Sequence, residues 1–278
     1  MRLSYCAAEL RRHDNDRYLT ALHAPAAVRE ALFALYAFNL EVAKTRESVS
    51  EPMIGQIRLQ WWREAIDEAY AGAVRDHAVL RPLAAAIARH SLTRVHFDTL
   101  IDARAVDLDD PPPETLEALI GYAEATSSTL VRLALEILGV RDGPAHEAAR
   151  GVGVAWGLTG LLRAVAFHAR AKRQYLPAAL MAEAGADPAD LFELRGSPAL
   201  TRVVQTVADA AREALATGRE RRPGVPRAAL PALLPGTLAG LFLRRMAQRD
   251  HDLFAQPIAI GQTSRQFRLL RAAMLGRY

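Results

Sequence analysis

GVAWGLTGLLRAVAFHARAKRQYLP, residues 153–177, reads as one long and largely buried helix. Small and apolar side chains fill it as far as Arg163, and basic ones follow at Arg170, Lys172 and Arg173. Tyr175-Leu176-Pro177 is expected to end it, because proline disfavours helical geometry in the residue before it. The small-xxx-small spacing of Gly153 and Gly157 marks close approach of a neighbouring helix. No carboxylate occurs anywhere between Gly151 and Pro177.

The rest of the chain agrees with a helical reading. It has 278 residues, 51% of them hydrophobic and only 6% aromatic. Strands draw on β-branched and aromatic residues, whereas Ala, Leu, Arg and Glu, which dominate here, are helix formers. The expected class is all-α. A net charge of +4, spread along the chain, suits an anionic ligand or acidic membrane surface and equally an Arg-rich soluble protein. No helix-turn-helix, zinc-finger or aromatic-interleaved RNA-binding signature accompanies it, so no nucleic-acid partner is expected. The single cysteine, Cys6, excludes an internal disulfide and a cysteine-based metal site.

The first residues, MRLSYCAAELRRHDNDRY, lack the apolar core of a secretory leader. Two long charge-free runs are Gly151–Leu162, 12 residues, and Ala228–Leu243, 16 residues with two prolines. Both fall short of the roughly 18 residues of a spanning helix. Core helices are the first reading of both runs; contact of Ala228–Leu243 with a membrane stays open. A cytoplasmic location follows, with peripheral contact to the inner membrane as the finer expectation.

In chain order, helices are expected over residues 4–23, from Pro25 to about Val49, Met53–Ala73, His77–Arg89, Leu92–Val106, from Glu114 to about Glu124 and Thr126–Leu138. Asp107–Glu114, with three prolines, reads as a loop, and its aspartates Asp107, Asp109 and Asp110 as a solvated cluster. RDGPA (Arg141–Ala145) reads as a turn. After the central helix come Leu200–Ala216, a charged loop Thr217–Arg227, and helices at Pro235–Arg249 and Ser264–Met274. No repeat or composition break splits the chain, so a single domain over 1–278 is expected.

Familiar catalytic patterns are missing. The eight histidines show no HExxH or paired spacing, and neither a GxSxG elbow nor a phosphate-binding GxxxxGK[ST] or GxGxxG loop occurs.

Two blocks taken together are more specific. Leu35-Tyr36-Ala37-Phe38 resembles the first signature of squalene and phytoene synthases. Leu158-Thr159, Leu162-Arg163, Arg173 and Tyr175-Leu176-Pro177 resemble the second at matching spacing, and Trp62, Gly72, His77, Phe97, Asp107 and Tyr122 fall where the intervening pattern expects them. The resemblance covers about residues 4 to 275 and implies the all-α isoprenoid synthase fold, with helices around a deep apolar cavity.

Enzymes of that family join prenyl diphosphates and carry a DxxxD motif on each of two facing helices. Residues four apart share a helix face, about 6 Å apart along the axis, so two such pairs can hold Mg²⁺ ions, hard cations that prefer oxygen ligands. Carried onto this chain, the first pair falls on Ala43 and Glu47 and the second on Ala164 and His168. Glu41 is two residues out of register and points about 160° away from Ala43 around the axis. Three of four carboxylates are thus absent. The resemblance, with that loss, implies no metal cofactor and a non-catalytic family member; Glu47 and His168 are the residual metal-ligand candidates.

Phe38–Ile66, and above all Ser48-Val49-Ser50-Glu51, Ile54-Gly55, Arg58, Gln60 and Trp62, is similar to the family's subgroup of complex I assembly factors. That similarity implies a respiratory-complex assembly partner, with an isoprenoid or lipid in the central cavity. Lys44, Arg46, Arg58, Arg163, Arg170, Lys172 and Arg173 are the candidate anion- or diphosphate-binding residues. The alternative is a prenyl-diphosphate transferase of altered metal dependence, using Mg²⁺ and these cations together.

Overall fold

A computed structural model of the chain describes residues 3–49, 51–109, 111–254 and 258–278; Ser50 and Asp110, both part of the sequence reading, lie outside them. The architecture is set by α9 (Gly143–Arg163), which packs against α7 (Leu116–Ala123), α8 (Thr129–Ile137), α13 (Pro198–Glu220) and α15 (Pro235–Ala247). Two of its glycines make that packing possible. A methyl group on Gly153 would lie 2.3 Å from Ser128 Cα, and one on Gly151 would lie 2.7 Å from Gly218 Cα of α13. The small-residue spacing therefore does mark close approach, and it occurs on two sides of the helix.

Helix starts follow local chemistry. Asp142 accepts from Ala145 N–H at 2.8 Å and Pro144 sits in the first turn, so α9 begins about ten residues before the expected start. RDGPA is thus a helix start rather than a separate turn. The long helix expected up to Tyr175 is also divided. It breaks at Ala164 (φ −93°, ψ 0°), restarts as α10 (Val165–Arg170), and reverses at Lys172, which adopts φ +57°. Neither break carries a proline or glycine, so periodicity alone runs straight through both. Similarly, Asp14 caps α2 (Asn15–Ala21) through Arg17 N–H and separates it from α1 (Tyr5–His13), where one helix was expected.

Pro25 precedes α3 (Ala26–Ala43), which ends in a 3₁₀ turn at Arg46–Ser48. Next come α4 (Pro52–Tyr70), α5 (Leu80–His90) and α6 (Arg94–Ala105); α5 and α6 pack on α3 and on α8, and α4 packs on α5 and α6. A wide π turn, Glu124–Ser128, joins α7 to α8. Short α11 (Ala178–Ala184) and α12 (Pro188–Phe192) lead to α13, and α14 (Leu230–Leu233), α15 and α16 (Gln262–Met274) complete the chain. Among the described residues there is no strand.

Ala228–Leu243 is interior. Ala229, Ala232, Leu233, Leu234, Leu238 and Phe242 are each at most 1% exposed, so this run cannot supply a membrane contact. Among the described residues, no helix is long and apolar enough to cross a membrane.

Candidate functional site

A cavity of about 540 Å³ opens where the end of α3 faces α9 and α10. Ala43 and Glu47 line it from the first side, His168 and Phe167 from the second, and Trp156, Gly157, Gly160 and Leu161 of α9 form much of its wall. Four guanidiniums, those of Arg17, Arg46, Arg104 and Arg173, reach it, against the carboxylates of Glu47 and Asp107. The site is therefore electropositive over an apolar wall.

Asp107 organises its deeper side. Only 6% exposed, it accepts hydrogen bonds from Tyr122 Oη at 2.7 Å, Tyr175 Oη at 2.9 Å and Arg104 Nη1 at 3.1 Å. Arg104 Nη1 also donates to Tyr122 Oη at 2.6 Å, and Arg173 Nη2 donates to the main-chain oxygens of Asp107 and Asp109. The reading of Asp107 as a solvated loop residue is overturned. Val106–Leu108 forms a 3₁₀ turn that directs the carboxylate inward, where its charge is satisfied by two phenols and a guanidinium. Burial drives the Tyr175 hydroxyl well above its ordinary range, reinforced by the Asp107 charge, so it stays protonated and donates. His168 stacks obliquely on Tyr175, ring centroids 4.6 Å apart. Burial lowers its pKa to about 4 against the opposing pull of Asp107, helped by Arg173 and Arg104, so the imidazole is neutral at pH 7.

The expected site residues divide. Ala43, Arg46, Glu47, His168 and Arg173 meet in the cavity. Ala164 does not line it, nor does Lys44. Arg58 pairs with Glu41 at 3.7 Å, away from the cavity. Arg163 turns to Asp16 at 3.2 Å and lies 3.7 Å over the Phe242 ring. Arg170 and Lys172 are exposed, with Lys172 5.5 Å from the Phe192 ring centroid. Arg17 and Arg104 were not legible as site residues. Arg17 leaves a separate helix and pairs with Asp14 at 2.7 Å, and no local pattern links it to α9. Asp107, Tyr122 and Tyr175 carried a signal only through the family pattern.

The residues present do not fit a divalent cation of the family type. Each motif pair straddles a break, Ala43 ending α3 and Ala164 ending α9, and together they offer two methyl groups, one exposed carboxylate and one neutral imidazole. The oxygens of Asp107 are already engaged. Mg²⁺ requires several oxygen ligands in near-octahedral array. Among the described residues, no group of three or more His, Cys, Asp or Glu is placed to hold a metal ion.

This arrangement can be set beside known proteins. The chain is 36% identical over 250 residues to complex I assembly factor 6 of Bos taurus and 34% identical to that of Homo sapiens, covering 90% of this chain and 75% of each relative. It is 28% identical to the presqualene diphosphate synthase of Zymomonas mobilis, over 81% of this chain and 77% of the relative. Among solved structures, a dehydrosqualene synthase superposes with a TM-score of 0.86 at 20% identity, covering 98% of this chain and 95% of that one. The squalene synthase HpnC from Alicyclobacillus acidocaldarius gives 0.79 at 22%, covering 89% and 93%. These likenesses establish the all-α isoprenoid synthase fold. The sequence pattern of squalene/phytoene synthases matches residues 10–271, nearly the whole chain, and the chain belongs to that family.

Proposed function

We propose that this chain is a non-catalytic member of its family that serves as an assembly factor for respiratory complex I. The observation that carries the reading is the loss of three of the four motif carboxylates, with Ala43, Ala164 and His168 in their places and Glu47 alone remaining, in a scaffold that keeps its cavity. Without the cations that activate a diphosphate leaving group, the site has lost the step on which prenyl transfer depends. The similarity to complex I assembly factor 6 over 90% of the chain supplies the role that replaces it. An isoprenoid or other lipid with an anionic head suits the cavity, its head among Arg17, Arg46, Arg104 and Arg173 and its tail against Trp156 and Leu161. The protein works at the inner membrane as a peripheral component.

Two measurements test this. Cells lacking the gene should lose assembled complex I on native gels and NADH:quinone activity in their membranes, and regain both with the wild-type gene. Purified protein given farnesyl or geranylgeranyl diphosphate with Mg²⁺ or Mn²⁺ should release no diphosphate above background. Intact complex I in the deletion strain would end the assembly reading. Diphosphate release would instead establish a transferase of altered metal dependence, the reading that the presqualene diphosphate synthase similarity favours.

A further inference from the structure

The last helix presents an outer face that the cavity does not use. In α16, Leu269 and Ala272 are buried, while Phe267, Leu270 and Met274 are 64%, 52% and 70% exposed. At about 100° per residue these three fall within one sector, with Arg271 and Leu275 on one flank and Arg268 just beyond. Residues 258–278 contain four arginines and neither Asp nor Glu. One of the four, Arg265, is turned inward to Asp16.

Beside this stripe lies a depression of about 250 Å³ ringed by Arg219, Arg222, Arg244, Arg268, Arg271 and Arg277, and none of its lining residues is acidic. Glu220 lies in the adjoining groove. The depression has a fixed frame. Tyr278 Oη donates to Gly218 O at 3.1 Å, and Arg219 Nε donates to the main-chain oxygen of Tyr278 at 2.6 Å. Five guanidiniums on this rim, those of Arg222, Arg244, Arg268, Arg271 and Arg277, are exposed. Gathering so many like charges is unfavourable unless an anion meets them.

We propose that α16 and the adjoining arginine depression form a docking surface for an anionic phospholipid membrane. The apolar stripe is the part that enters the interface, and the arginines beside it meet lipid phosphates. An interfacial helix needs this pairing of an apolar face with cationic flanks. The charge complementarity selects the partner: a neutral apolar protein surface would leave the five exposed arginines unanswered. The inference gives the peripheral placement proposed above its surface. It is tested with purified protein alone, so its failure would be distinct from failure of the assembly role.

The test is co-sedimentation of the full chain with vesicles of phosphatidylcholine alone or of phosphatidylcholine and phosphatidylglycerol in a three-to-one ratio. Wild-type protein should pellet with the mixed vesicles only, and binding should weaken with added salt. Arg268→Gln with Arg271→Gln should lower the partition coefficient roughly thirtyfold. Phe267→Ser with Met274→Ser should lower it roughly tenfold or more. Both variants change exposed side chains, and unchanged thermal melts should show that they fold. Wild-type binding by either variant, equal binding to neutral vesicles, no binding to mixed vesicles, or wild-type self-association that the serine variant abolishes would overturn the assignment.

Discussion

The cavity and the outer face of α16 are both rich in arginine, and they use it in opposite ways. Inside, the guanidiniums are tied down: Arg104 to Asp107 and Tyr122, Arg17 to Asp14, Arg173 to main-chain oxygens. Outside, the five exposed arginines around the depression have no Asp or Glu among them, and only Arg219, bonded to the main-chain oxygen of Tyr278, is held by the fold. A charge already paired in a poorly solvated place holds the fold, and losing its partner exposes the full desolvation cost. A charge left among like charges at the surface contributes little to folding and remains available to a ligand. The same residue type is therefore structural in one region and interactive in the other.

The sharpest way to break this contrast is Asp107→Ala. It strands Tyr122, Tyr175 and Arg104 in the interior, and a loss of about 3–5 kcal/mol is expected, as for a broken buried charge pair. A chain of this size should then melt roughly 10 °C lower. A melt near that of the wild type would show that water replaces the carboxylate and that the interior network is not structural.

His168 gives the next effect. Its folded pKa, about 4, lies below the ordinary imidazole value, so the unfolded chain takes up a proton first as pH falls. Stability should be fully present above about pH 6.5 and decline as pH falls toward 4, by up to about 3 kcal/mol. Denaturant midpoints for His168→Gln should decline less over that window. Parallel curves for the two proteins would place the imidazole in contact with solvent. Arg173→Gln is expected to cost less, roughly 1.5–3 kcal/mol, since it removes charged hydrogen bonds to two carbonyl oxygens while leaving Asp107 with its own partners. Urea unfolding measures it, and a change within error would put Arg173 in the outer class.

How far sequence reaches depends on whether the signal is local. Helical content, the close packing at Gly153 and the degenerate acidic pairs are written in short spacings, and these were legible. The helix breaks at Asp14 and Ala164 were not. At Asp14 a side-chain cap interrupts an otherwise continuous pattern, and at Ala164 no residue of special backbone preference marks the position. Asp107 misled because polar residues before three prolines ordinarily face water; beside the nearby Arg104, its two phenol partners, Tyr122 and Tyr175, come from segments brought to it only by folding. Arg163 and Arg58 misled for the converse reason. Their positions near the motifs suggested the cavity, but Asp16 and Glu41 draw them elsewhere. The basic depression joins α13, α15 and the end of the chain, so its charges coincide only after folding.

The smallest expected effect tests the outer half of the contrast. Phe267→Ser with Met274→Ser, and separately Arg268→Gln with Arg271→Gln, should change unfolding free energy by no more than about 0.5 kcal/mol, the usual range for exposed positions. Removing exposed apolar surface gives up little burial, and thinning a cluster of like charges relieves repulsion, so the arginine variant should move, if anywhere, toward greater stability at low salt. Denaturant titrations at two ionic strengths separate these terms. A loss of several kcal/mol in either variant would mean that α16 spends its outer face on the fold, and the distinction between tied and unanswered arginines would fail.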